Sequence, residues 1–110
     1  MSIGNLGFGL MRLPVKNDNP ADIDQQQLNK MVDLFIEAGF TYFDTSYVYH
    51  NGASEMAIQK ALVERYDRNQ FVLASKFPTF QLPKEDQIEK IFLEQLEKCG
   101  VEYFDYYLLH

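Results

Sequence analysis

Four residues in this chain have the types and spacing to move a proton: Asp44, Tyr49, Lys76 and His110. Asp44 ends the apolar run that begins at Phe40, and Tyr49 lies five positions beyond it. Lys76 sits near the end of Phe71 to Phe77, and His110 follows Tyr106, Tyr107, Leu108 and Leu109. A phenol with an ordinary pKa of about 10 gives up its proton reluctantly at neutral pH. A neighbouring ammonium makes the transfer easier, a carboxylate keeps that ammonium charged and oriented, and an imidazole can hydrogen-bond a substrate oxygen. Such a set suits protonation of a carbonyl oxygen as a hydride arrives at carbon. Plainer readings stand beside this one. Asp44 and Lys76 also fit a structural ion pair or solvated strand ends, Tyr49 is one of seven tyrosines and also fits packing, and a histidine at the end of a sequence also fits a frayed terminus.

The elements that must position these groups can be read from apolar periodicity. Leu6 to Pro14 is a short apolar run stopped by proline, and it reads as a first strand. Gly7 and Gly9 lack the third glycine and the following helix of a dinucleotide-binding G-x-G-x-x-G turn. Asp22 or Asp24 can cap a helix running to about Ala38, with Leu28, Met31, Val32, Phe35 and Ile36 on one face and Gly39 as its stop. Phe40 to Thr45 reads as a second strand. Asn51 to Glu55 reads as a turn into a second helix, with Ser54 as N-cap and Ile58, Ala61 and Leu62 on its buried stripe; Asp67 to Asn69 breaks it. Phe71 to Phe77, closed by Pro78, is the third strand. A third helix is expected from about Pro83, burying Ile88, Ile91, Phe92, Gln95, Leu96 and Cys99 and ending at Gly100, and Tyr103 to Leu109 is the fourth strand.

The order β-α-β-α-β-α-β, with strands apolar nearly throughout, predicts an α/β fold with a parallel sheet. All four polar candidates fall at strand C-terminal ends, where both eightfold barrels and open doubly wound sheets place their sites. The pattern alone suits half a barrel and a small open sheet equally. Strand alternation puts Phe40, Tyr42 and Asp44 on one face and Val72, Ala74 and Lys76 on one face of the next strand, so if the two strands are neighbours in register Asp44 and Lys76 can meet as an ion pair.

Bulk properties exclude several classes. At 110 residues the chain holds one domain at most, with 46% apolar residues to form its core. A net charge of −6 and scattered basic residues argue against nucleic-acid binding. A single cysteine, Cys99, excludes an internal disulfide framework and fits a reducing cytosol; its place on a helix stripe reads as a buried, inert thiol. His50, Cys99 and His110 fit no metal-ligand spacing. The residues from Met1 to Pro14 do not read as a signal peptide, and no apolar run approaches the roughly 20 residues of a spanning helix.

Ordered motifs then add a resemblance. Leu6 to Pro14, Gly39 to Ser46 with Tyr49, Gly52 to Glu55, Val72 to Lys76 and Gly100 to His110 together resemble the N-terminal half of an aldo/keto reductase. The opening motif and Tyr47 to Gly52 are most similar to the bacterial branch whose longer members carry a C-terminal iron–sulfur segment. The resemblance implies the first half of a TIM-type (β/α)8 barrel and reversible reduction of aldehydes or ketones by a nicotinamide cofactor, usually NADPH. It implies Tyr49 as general acid, Lys76 and Asp44 as its tuners, and His110 as substrate orienter. It also implies that Met11, Arg12 and Asp44 approach the nicotinamide ribose. A complete barrel takes roughly 250 residues, so a truncated member covering residues 1–110 as a single partial domain is expected. Taken alone, it is expected neither to hold NADPH nor to turn over. The alternative is a non-catalytic half-barrel that dimerises or docks on a C-terminal half through the edges of strands one and four and an exposed inner face including Phe40, Tyr42, Val72 and Leu108.

Overall fold

Apolar runs too short for helices recur between amphipathic stretches, and the chain folds as that alternation requires. The computed structural model describes residues 4–110. Strands β1 (Gly7–Gly9), β2 (Tyr42–Asp44), β3 (Val72–Phe77) and β4 (Tyr106–Leu109) lie side by side in chain order, and all run parallel. Helices α1 (Gln25–Glu37), α2 (Ser54–Ile58) and α3 (Glu85–Cys99) fill the three crossovers. Gly9 pairs with Asp44, Asp44 with Ala74, and Lys76 with Leu108, which sets the level of every candidate side chain.

The predicted α1 face is realised. Asp24 caps the helix by accepting from the Gln27 N–H at 3.1 Å, and Gly39 leaves it in the left-handed region at φ +95°. Leu28 and Val32 are buried, and Phe35 packs against Phe8, Phe40 and Phe43 with ring centroids 5.2–5.4 Å apart. Together with Leu73, Ile58, Leu62, Phe71 and Cys99 these side chains form the core between sheet and helices. A wide π-type turn, Gln59–Val63, continues α2 and keeps Ala61 and Leu62 buried.

Several element limits differ from the sequence expectation for physical reasons. β1 is far shorter than Leu6 to Pro14, because β2 offers it only three partners. The Leu10 N–H closes the ladder on the Asp44 carbonyl at 2.9 Å, and the chain then turns into a small hairpin. In that hairpin Val15 bridges Ile23, and Asn17 and Asp18 take positive φ, as residues of their type do at tight turns. Ser54 is not an N-cap; it is the first residue of α2, and its buried hydroxyl donates to the Leu10 carbonyl at 3.1 Å. α3 starts at Glu85, after a turn at Thr79–Gln81, and it approaches the sheet only along its second half. Ile88 is therefore 47% exposed, whereas Gln95 and Cys99 are buried. β4 begins three residues later than expected, at Tyr106. On the inner face, Val72 is buried rather than exposed; it pairs with Tyr42, whose ring lies 6.1 Å from that of Tyr106.

Candidate active site

The site is assembled from strand ends. β2 stops at Asp44, while β3 runs further, so Lys76 projects beyond its neighbour and reaches back over it. An ammonium has three donors, and Lys76 uses all of them: Nζ donates to Asp44 Oδ2 at 2.7 Å, to the Thr45 carbonyl at 2.9 Å and to Tyr49 Oη at 2.9 Å. Three divergent bonds fix the charge in space. Because Tyr49 Oη accepts from Lys76, its own hydrogen is left to point elsewhere. That is the geometry of a phenol placed to donate.

His110 extends β4, its N–H bonded to the Phe77 carbonyl at 2.9 Å. Its Nδ1 lies 3.0 Å from the Ser46 hydroxyl, and its ring stands edge-on to Tyr49 at 5.9 Å and to Phe80 at 5.1 Å. Among the described residues Nε2 has no hydrogen-bond partner, so it is the nitrogen free to meet a ligand oxygen. The structure thus brings Asp44, Tyr49, Lys76 and His110 together. Met11 and Arg12 follow the C-terminal end of β1, both exposed, with Met11 at 49%. Tyr42 shares the inner face with Asp44, but burial first and the Asp44 charge second push its phenol up from the ordinary value, so it stays a neutral hydroxyl. The four residues form an open ledge. A recess of about 430 Å³ lies off it, lined by Tyr47, Val48, Asn51, Gly52, Gln81 and Lys98.

Three features around the site were not foreseen from sequence. Ser46 is fully buried and holds His110, and Thr45 Oγ1 pairs with Ser54 Oγ at 2.8 Å, tying the end of β2 to the start of α2. Glu55 is fully buried behind β3, where Oε2 accepts from Ser75 at 2.7 Å and from Gln95 at 3.1 Å, while Lys98 stands 3.7 Å from Oε1. Gln95 Nε2 also donates to the Lys76 carbonyl at 2.8 Å, and Gln95 Oε1 accepts from the Tyr107 hydroxyl. This network joins the backbone of Lys76 to β4, three residues before His110. In sequence, a serine after threonine and a glutamate near a helix start look like surface or cap residues. The one available signal was Gln95, a polar residue within an apolar helix stripe. Among the described residues no cluster of three or more His, Cys, Asp or Glu side chains is placed to hold a metal, and no helix is long and apolar enough to cross a membrane.

Comparison with known proteins decides the lineage. The sequence profile of the aldo/keto reductase family matches residues 5–110. This chain belongs to the aldo/keto reductase family. It is 31% identical over 115 residues to an NAD(P)H-dependent D-xylose reductase of Pyricularia oryzae, covering all of this chain and 31% of that protein. It is 28% identical to a probable aldo-keto reductase of Glycine max, covering 98% of this chain and 33% of that one. Among solved structures, an aldo-keto reductase of Bacillus halodurans in its holo form superposes with a TM-score of 0.76 at 29% identity, covering 98% of this chain and 36% of the other. A Klebsiella pneumoniae aldo-keto reductase in complex with NADPH has the same fold over 98% of this chain and 35% of its own, with a TM-score of 0.80 at 24% identity. The aldo/keto reductase chain described here thus spans about a third of the length of the relatives it matches, and its four-stranded parallel sheet corresponds to the N-terminal part of their barrels.

Proposed function

We propose that these residues carry the proton-transfer half of a carbonyl reductase, acting on a small aldehyde or ketone with NADPH as hydride source. The observation that carries the reading is the saturated ammonium of Lys76, which donates to Tyr49 Oη and leaves the phenol hydrogen for the substrate. Tyr49 is the general acid. As negative charge develops on its oxygen, the contact with the Lys76 ammonium turns from ion–dipole into one between opposite charges and strengthens. Asp44 holds the ammonium in place. His110, fixed at Nδ1 by Ser46, orients the substrate oxygen through Nε2, and Phe80 beside it forms an apolar wall.

The cofactor's place is tested by the ledge itself. Met11 and Arg12 are exposed just beyond β1, whose Gly9 pairs with Asp44, and nothing lies within 4 Å of the missing Cβ of Gly9, so the nicotinamide ribose end has an open approach there. The cofactor supplies the hydride. Its phosphate and adenosine contacts belong, by family likeness, to later strands, so residues 1–110 alone form a single partial-barrel unit that neither holds NADPH nor turns over. A reducing, cytoplasmic setting is supported by the lone Cys99, whose burial pushes its thiol well up and keeps it protonated. The net charge of −6 supports a small-molecule partner rather than a nucleic acid.

The test is a pair of preparations: this chain alone, and this chain joined to the later strands of a family barrel. NADPH oxidation with a panel of aldehydes is expected only in the second, and Tyr49→Phe there should lower it by about 10²–10⁴-fold. Reduction that survives Tyr49→Phe unchanged would sink the reading. A second reading rests on a separate observation, the edge strand β4 with each of its residues at least a third exposed: residues 1–110 act as a half-barrel that pairs with another copy or with a C-terminal half.

A further inference from the structure

His50 follows the general acid directly, yet no step above uses it. Its ring is held at both nitrogens: the Leu13 N–H donates to Nε2 at 2.8 Å, and Nδ1 lies 2.7 Å from the Pro20 carbonyl. An amide N–H only donates and a carbonyl only accepts, so one tautomer satisfies both partners, with the hydrogen on Nδ1. Both partners lie in the crossover between β1 and α1, whereas His50 belongs to the loop after β2. The ring therefore ties the segment that carries Met11 and Arg12 to the loop that carries Tyr49.

The backbone shows why such a tie is needed. His50 and Asn51 both sit in the left-handed region, at φ +55° and +54°. Residues with a Cβ avoid that region, and it persists only where the surroundings impose it. Within the loop's own backbone, the Ala53 N–H bonds the His50 carbonyl at 3.0 Å, while the Tyr49 N–H reaches the Ser46 carbonyl only at 3.4 Å. The far side is stiff by comparison. Asp24 N–H bonds the Pro14 carbonyl at 2.8 Å, Lys16 N–H bonds the Asp22 carbonyl at 2.8 Å, and the Leu13 side chain is buried in the core. The anchor has its own backbone bonds and a buried side chain, and the anchored loop carries two successive left-handed residues.

We propose that His50 is a positioning residue: its ring, hydrogen on Nδ1, clamps Leu13 and Pro20 and so holds Tyr49 against Lys76. The functional part rests on Tyr49 being the general acid; the clamp itself can be read without turnover. In the isotopically labelled 110-residue chain, NMR should show the Nδ1–H tautomer at His50 and slow exchange of the Leu13 amide. His50→Phe keeps the ring shape but loses both bonds. It should speed Leu13 exchange by about tenfold or more and weaken the nuclear Overhauser contacts between the Tyr49 ring and the Lys76 side chain. His50→Gln can accept from Leu13 and donate to Pro20, and it should restore both signals, which a merely space-filling role would not do. If His50→Phe fails to fold, the wild-type tautomer and the His50→Gln signals still decide. An Nε2–H tautomer, Leu13 exchange unchanged in His50→Phe, or unchanged Tyr49–Lys76 contacts would each overturn the proposal. In the joined barrel, His50→Phe should lower kcat roughly tenfold while leaving the NADPH KM nearly unchanged. A wild-type barrel without activity would count against the reductase reading, and the NMR signals would still judge the clamp.

Discussion

Lys76 is the residue that separates function from stability in this site. Its side chain is 12% exposed, and Asp44, its charged partner, is 30% exposed. Removing the ammonium lets Asp44 rehydrate, so the structural cost is modest, whereas the loss to Tyr49 has no substitute. Lys76→Met is therefore expected to cost about 1 kcal/mol in urea unfolding while lowering carbonyl reduction in the joined barrel by about 10²-fold or more. A large stability loss with activity nearly intact would instead mark the pair as structural. Asp44 and Lys76 were legible in the sequence because a charge at the end of an apolar strand needs a partner, and strand alternation put both on the same face. Ser46 was not legible: a buried serine differs from an exposed one only through a contact 64 residues away, to His110.

At the scale of elements, the buried Glu55 network holds α2, β3 and α3 to one another, and it gives the fold a pH signature. Burial raises the Glu55 carboxyl above its ordinary value of 4.5, and the hydrogen bonds from Ser75 and Gln95 and the charge of Lys98 offset this only in part. Between 4.5 and the raised value, the folded chain binds more protons than the unfolded chain. Stability must therefore fall as pH rises through that window and level off above it. Glu55→Gln removes the titration and should flatten this part of the profile. Urea melts of both chains at a series of pH values check it, because Asp33, whose carboxyl is held low by Arg65 and Tyr66, contributes equally to both. Parallel profiles would show that Glu55 does not control the slope. The element order itself was readable, since α1 carries a complete apolar face between a capping aspartate and a left-handed glycine. Strand lengths were not, because β1 is limited by the three residues that β2 offers it and not by its own composition. The turn at Thr79–Gln81 that delays α3 likewise left no periodic trace.

At the scale of the whole molecule, the sheet is covered unequally. α2 packs on α3, and α1 packs on the turn that follows α2, so the three helices stand together on one face and the extents are those of a slab, 41 × 37 × 23 Å. β1 and β4 are both edges. Every residue of β4 is exposed, with Tyr106 at 50%, Leu108 at 42% and Leu109 at 80%. An apolar edge with unpaired backbone groups is a template for another strand, and a contiguous apolar patch beside it favours association. The chain alone is therefore expected to self-associate or to take up a complementing half-barrel. Sedimentation velocity over a concentration series should show species heavier than 12.9 kDa, with binding of an apolar dye to any unpaired fraction. Tyr106→Lys combined with Leu108→Lys places two charges on the inner face of β4, opposing association there, and should shift the distribution to monomer. A monodisperse wild-type monomer that binds no dye would remove the half-barrel reading. Association unchanged in the double variant would place the contact elsewhere, since β4 is the edge on which those charges stand.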